Sequence, residues 1–113
     1  MTQRARELLQ RYRARHYEPF LRGVRGSYLF EIEQVGTWWL SVDDGSIAFD
    51  EQRRDADCVI HCSEADFIDI VEGRRNLVTA VLQGRVKVRG DVALAQKFHG
   101  LVSTDVERKR GVA

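Results

Sequence analysis

Hydrophobic residues recur along this chain with two periods, and the switches between them mark its elements. In residues 27–35, Tyr28, Phe30 and Ile32 alternate with Leu29, Glu31 and Glu33, the period-2 pattern of a strand with one buried face. Residues 37–42 repeat it, with Trp38, Leu40 and Val42 on one side and Trp39 and Ser41 on the other. Asp43-Asp44-Gly45 is a hairpin turn signal. Ile47 and Phe49 then mark a strand over residues 46–49, and Cys58, Ile60 and Cys62 another over 56–62. Short connections predict that these strands follow one another as an antiparallel meander. A one-residue slip would turn a whole strand inside out. The inner face is therefore expected to hold Phe30, Ile32, Trp38, Leu40 and Ile60, with Trp38 rather than Trp39 buried.

Elsewhere the period is helical. Residues 3–18 read as a basic amphipathic helix, with Leu8, Leu9, Tyr12 and His16 as its stripe among Arg4, Arg6, Arg11, Arg13 and Arg15. Pro19 disfavours helix at Glu18 and sets its end, and Phe20 and Leu21 anchor the exit. Ser63, with Asp66 three residues on, caps a helix whose apolar face is Phe67, Ile70 and Val71 and which Gly73 ends. Residues 76–83 form an apolar helix through Leu77, Val78, Ala80, Val81 and Leu82, stopped by Gly84. Val86 and Val88 alternate with Lys87 and Arg89 in a short fifth strand, which Gly90 releases. Asp91 caps the last helix, carrying Leu94, Phe98, Leu101 and Val102 at i, i+4, i+7 and i+8. Helix, glycine stop, strand, glycine and capped helix within about thirty residues form the most identifying stretch of the chain.

The chain has 113 residues and needs one domain, 1–113, in which 1–22 form the N-terminal basic helix and its exit and 105–113 a polar tail. No apolar run approaches the ~18 residues of a membrane span. The N-terminal arginines lead into no apolar signal core, and the last residues carry no peroxisomal tripeptide, so a cytoplasmic protein is expected. Net charge is +1 but segregated: +5 over residues 1–25, −10 over 26–73 and +6 over 74–113. Basic termini folding over an acidic middle account for this. A basic face for anionic lipid, coenzyme or nucleic acid is the sharper alternative.

Motifs that would carry catalysis are missing. The sequence holds no phosphate-binding glycine loop, no HExxH and no nucleophile elbow. Cys58 and Cys62, four apart on a strand, would lie roughly 13 Å apart at ~3.3 Å per residue. That is too far for a disulfide, which needs Cα atoms within ~7 Å, or for a shared zinc. Two buried, reduced thiols are expected. His16, His61 and His99 sit in three different elements, and His61 lies on the polar side of its strand. Asp43, Asp44, Asp50, Glu51, Asp55 and Asp57 crowd two turns without the spacing of a calcium loop. No catalytic residue, metal site or cofactor is nominated. Nucleic acid is a poor partner, because the strands that would carry stacking aromatics also carry Glu31 and Glu33.

What remains is an excess of inward apolar surface. A sheet covered by separate helices can leave an apolar gap between the layers, and such a gap is a lipid site. The same residues can equally fill the core and leave no cavity; the pattern is compatible with both.

The ordered series resembles the sterol carrier protein type 2 family over roughly residues 20–104. It runs Tyr28-x-Phe30-x-Ile32, then Gly36-x-Trp38-x-Leu40-x-Val42-x-Asp44-Gly45, then Ala56-Asp57-Cys-Val-Ile60. Ser63-x-x-Asp66-Phe67-x-x-Ile70-x-x-Gly73 and Asn76-x-x-x-Ala80-x-x-x-Gly84 follow. Val86-x-Val88-x-Gly90-Asp91-x-x-Leu94-Ala95-x-x-Phe98-x-x-Leu101 closes it. No single piece is specific; their order is. The chain departs by lacking the peroxisomal signal of the eukaryotic carriers and by having Leu77 where the family often has proline.

The resemblance implies an α+β fold, a five-stranded, mainly antiparallel sheet with helices on one face, and a hydrophobic tunnel between them. The function it implies is non-catalytic binding and transfer of a fatty acid, fatty acyl-CoA, phospholipid, sterol or isoprenoid. The ligand-binding residues expected on the sheet are Phe30, Ile32, Trp38 and Leu40. From the helices they are Phe67, Ile70, Val71, Leu77, Ala80, Val81, Phe98, Leu101 and Val102. An accessory subunit presenting a lipid-like or quinone-like intermediate to a partner enzyme is the alternative. A small cyclase or isomerase is the third reading, and it needs a polar group inside the tunnel. An apolar small molecule, a partner enzyme and a transient contact with a membrane surface are the partners in view.

Overall fold

The computed structural model describes the backbone of residues 3–50 and 54–109, and the side chains of those residues other than 3, 12, 13 and 106–109. Tyr12 and Arg13, placed on the N-terminal helix by the sequence, therefore lie outside the described side chains, as does the end of the polar tail. The elements are α1 (Gln3–Arg13), a 3-10 turn (Pro19–Leu21), β1 (Arg25–Ile32), β2 (Gly36–Asp43), β3 (Ser46–Asp50) and β4 (Cys58–Cys62). They continue as α2 (Glu64–Val71), α3 (Leu77–Leu82), β5 (Lys87–Gly90) and α4 (Val92–Lys109).

The caps explain most of these bounds. Ser63 Oγ accepts from the Asp66 amide and donates to the Asp66 carboxylate, a reciprocal cap on α2. The Asn76 side chain accepts from Thr79 N–H, and Asp91 Oδ1 from Ala93 N–H. At the end of α3, Gly84 at φ +78° lets its own N–H reach Val81 O and that of Arg85 reach Ala80 O. This pair of bonds closes the helix with its carbonyls satisfied. Between β2 and β3, Asp44 and Gly45 both take positive φ, the two-residue turn whose twist suits a hairpin.

The five strands lie in the order β3-β2-β1-β4-β5. All neighbours are antiparallel except β1 and β4, which run parallel. The fold is thus α+β with a mainly antiparallel sheet, but the simple meander is corrected after β3. The chain crosses back and β4 pairs with β1, setting Ile60 beside Phe30 and Cys62 beside Ile32. A physical reason lies in β1 itself, whose Tyr28, Leu29, Phe30 and Ile32 are all buried. Pairing on both edges makes it the central strand, where such a composition is best covered. On the face away from the helices, Leu29 is shielded by the connection to β4. There the Trp39 indole N–H donates to Asp55 O, and the Arg54 guanidinium lies 4.9 Å over the Trp39 ring.

The register matches the alternation of the strands. Phe30 stands opposite Trp38, and Tyr28 opposite Leu40. Trp38 is buried and Trp39 half-buried. All four helices cover this inner face, and their apolar residues join it in one core.

Two helix bounds differ from expectation. α1 ends at Arg13 rather than near Glu18, because residues 16–18 leave the helix to run along the β2–β3 hairpin. Ile47 N–H donates to His16 O and Glu18 N–H to Gly45 O, covering part of the free edge of β3. α4 runs on to Lys109, through the start of the segment read as a tail.

Candidate functional site

A small cavity lies between the sheet and the helices on the β3 side of the molecule. Its walls are Leu9 of α1, Leu21 of the 3-10 turn, Tyr28 and Phe30 of β1, and Leu40 of β2. Ile47 and Phe49 of β3 and Phe98 and Leu101 of α4 complete it. Each wall residue is there for a local reason. Leu40, Ile47 and Phe49 share a face because β2 and β3 pair Leu40 with Phe49 and Val42 with Ile47. Phe98 and Leu101 are neighbours at i, i+3 on α4, whose start is fixed by the Asp91 cap.

The volume is about 20 Å³. That is room for one water-sized sphere, in a site with no polar partner to hold a water. The Tyr28 hydroxyl does not alter this, since it donates to Leu94 O at 2.6 Å within the core. Burial raises the Tyr28 phenol far above its ordinary range, so it stays protonated and committed to that bond. Phe98 stops the cavity from being larger. Its ring meets Phe30 edge-on at 5.1 Å and Tyr28 at 6.4 Å. A cavity able to enclose an acyl chain is several hundred Å³. In this state the site is a closed apolar seam.

The wall formed by α1 and the 3-10 turn is held by polar contacts at its margins. Arg4 pairs with Glu72 at the end of α2, and Arg6 donates to Val35 O and lies over the Trp38 ring. Arg15 reaches both the buried Glu18 and Asp105 of α4. Glu18 in turn accepts from the Phe20 amide. Phe20 rests on α4 at Gly100, where an added Cβ would come within 2.7 Å of the ring. At the β3 edge Ile47 and Phe49 are only partly buried, so the seam is thinnest there.

Of the site residues read from the sequence, Phe30, Leu40, Phe98 and Leu101 line this cavity. Ile32, Trp38, Phe67, Ile70, Val71, Leu77, Ala80 and Val102 are buried in the surrounding core but do not touch it. Val81, expected among the ligand-binding residues, is on the solvent side with Leu82, at 36% and 83% exposure respectively. Residues 77 and 80 take the inward face of α3, and 78, 81 and 82 the other. Leu9, Leu21, Tyr28, Ile47 and Phe49 were not among the expected site residues. The apolar stripe of α1 was the available signal, because a stripe that must be covered also covers something.

The other singled-out groups lie apart from the cavity. Cys58 and Cys62 are buried free thiols, pushed up by burial to about 11 and about 12. His61 sits on the outer face of the sheet, its ring nitrogens 3.2 Å from Glu31 and 3.1 Å from Glu33. Among the described residues no cluster of His, Cys, Asp and Glu could hold a metal ion. No helix among them is long and apolar enough to cross a membrane.

The comparisons with known proteins bear on the whole of this architecture. The model of the SCP-2 sterol transfer family matches residues 5–103. The chain belongs to that family. Sterol carrier protein 2 of Gallus gallus is 30% identical over 91 residues, which cover 74% of this chain. They cover only 16% of that relative, so the chain spans about a sixth of its length. Palmitated SCP2L2 from Aedes aegypti has the same fold, with a TM-score of 0.66 at 21% identity, over 84% of this chain and 90% of that one. The ubiquinone synthesis protein UbiJ-SCP2 superposes with a TM-score of 0.64 at 19% identity, over 91% and 93%. The family's α+β sheet with its helical cover is the fold described above.

Proposed function

We propose that this domain is a carrier that binds and transfers an apolar ligand, without chemistry, in an opened form of the cavity beneath α1. The observation that supports this reading most directly is the composition of the seam, a junction of six elements walled only by hydrocarbon. Membership of a sterol transfer family supports the same class of ligand. A cyclase or isomerase would need a group able to move a proton at the cavity, and the nearest hydroxyl, that of Tyr28, is bound to the Leu94 carbonyl.

Opening is the physical requirement, since 20 Å³ holds no chain. The opening is assigned to α1 and the 3-10 turn, which cover the seam through Leu9 and Leu21 and are tied at their margins by the ion pairs of Arg4 and Arg15. Burying each methylene of a ligand returns ~0.8 kcal/mol. A chain of about twelve thus gains on the order of 10 kcal/mol gross, which leaves roughly micromolar affinity after ordering and opening costs. Such walls discriminate weakly among chains of similar size. A fatty acid, acyl-CoA, phospholipid, sterol or isoprenoid all fall within this class.

Displacement of a fluorescent fatty acid, together with native mass spectrometry of ligand extracted with the protein, tests the reading. Saturable binding at about one ligand per chain is expected. Failure to bind any long apolar probe would remove the carrier function. An accessory role toward a partner enzyme adds a protein contact to the same cavity, and copurification of that enzyme would distinguish it.

A further inference from the structure

Where the cover of the cavity meets α4, its residues form an inner and an outer row. Leu21 of the 3-10 turn and Phe98 and Leu101 of α4 line the cavity. Their chain neighbours Phe20, Lys97 and Gly100 make the outer row. Phe20 is 36% exposed, and its ring lies on α4 at Gly100. A glycine inside a helix costs stability, and here it leaves room for the ring. The Lys97 ammonium is 5.9 Å from the centre of that ring. Among the described residues no carboxylate lies within ion-pair distance of Lys97. Two carboxylates of the same boundary, Glu18 and Asp105, are both engaged by Arg15.

The cover meets its neighbours at two margins. At the β3 edge backbone hydrogen bonds tie it to the sheet, from Ile47 N–H to His16 O and from Glu18 N–H to Gly45 O. Between the cover and α4 no backbone hydrogen bond forms among the described residues. The contacts there belong to side chains, the Phe20 ring on Gly100 and Arg15 on Asp105. Parting a backbone pair orphans two polar groups, whereas a ring can swing aside. The α4 margin is therefore the easier to open.

We propose that a ligand enters between the 3-10 turn and α4, with Phe20 as the gate, and that Lys97 at this mouth holds an anionic head. The inference rests on the carrier reading above and narrows it to long chains ending in a carboxylate. An ammonium held only by a ring can turn to a carboxylate without breaking an ion pair. The apolar chain then lies in the opened seam, and the head stays at the surface, where its charge keeps its water.

The test compares dodecanoic acid with dodecan-1-ol, equal chains with and without the charge, as competitors of a neutral pyrene-labelled alcohol. Lys97→Gln should lower the acid-to-alcohol affinity ratio about fivefold, the upper end for a solvent-exposed charge pair. Raising the salt should lower the wild-type ratio in the same direction. Lys97→Arg keeps the charge and should keep the ratio. Lys87→Gln, an exposed cation on the outer face of the sheet, is the control and should leave the ratio unchanged. Gly100→Ala puts a Cβ 2.7 Å from the Phe20 ring and should speed dissociation of both ligands severalfold. Thermal unfolding of each variant shows that its fold is kept. The proposal is overturned if Lys97→Gln leaves the ratio intact, if Lys97→Arg or Lys87→Gln lowers it as far, or if Gly100→Ala leaves both dissociation rates unchanged. Alcohol binding with an unmoved ratio sinks this inference alone. If the wild type binds neither ligand, the carrier reading falls and the inference falls with it.

Discussion

Leu9→Ala is expected to make the protein less stable and its ligand binding tighter. Leu9 is 2% exposed and reaches the cavity from α1. Truncating a buried leucine costs 2–5 kcal/mol, and a site that already borders a void and sits on a movable helix belongs low in that range, at about 3 kcal/mol. For a domain of this size that lowers the melting temperature by about 12 °C. The packing removed is that of the closed state, in which α1 seals the seam. A ligand that binds only after α1 lifts is penalised by the rarity of the open state. Easing that opening by even half of the ~3 kcal/mol tightens apparent binding roughly tenfold. The assays are thermal unfolding and displacement of a fluorescent fatty acid, run beside Leu77→Ala. Leu77 is equally buried but lies on α3, away from the cavity, so its truncation should destabilise similarly and leave affinity unchanged. If Leu9→Ala binds no tighter than Leu77→Ala, α1 is not the cover of the site.

Further outcomes follow from packing and protonation. Gly90→Ala should cost more than ~2 kcal/mol by denaturant unfolding, since its φ is +91° and a Cβ would run into the Asp57 carbonyl. Gly84→Ala, with positive φ but open space, should cost only ~1 kcal/mol by the same measurement. Ala80→Trp should unfold or strongly destabilise the protein in a thermal melt rather than block ligand in a stable fold, because Ala80 is fully buried and does not line the cavity described. Cys58 and Cys62 should resist a thiol reagent at pH 8 until denaturant is added. Their folded pKa values are raised, so their contribution to stability is complete below about pH 9 and is lost as pH climbs toward about 11–12, which alkaline unfolding curves would show.

Local chemistry was the part of this fold that could be read from the chain. Ser63 and Asp91 cap the helices they were expected to cap, and the Asp44-Gly45 turn and the Trp38-in register follow from rules that act within a few residues. Pairing partners were harder, because alternation says which face a strand buries but not which strand lies beside it. Hence the parallel β1–β4 ladder was not foreseen. The orientation of α3 was unreadable for a related reason, since a helix that is apolar all round gives no direction to its burial. The cavity depended on both. Its sheet wall is the predicted inner face, while its position under α1 is set by where the chain goes after Arg13, a choice made by the hydrogen bonds of residues 16–18 to a hairpin distant in sequence.

The parallel pairing in the middle of the sheet also governs how the molecule assembles. The β1–β2–β3 hairpins join neighbours in sequence and can close early, whereas β4 must return past both of them to reach β1. Loop closure of that length comes late and slows folding. Until it happens, the most hydrophobic strand has one edge unpaired, open to a strand of another molecule. Pulsed hydrogen exchange should find β2 amides protected before those of β4, and refolding yield should fall with concentration in that interval.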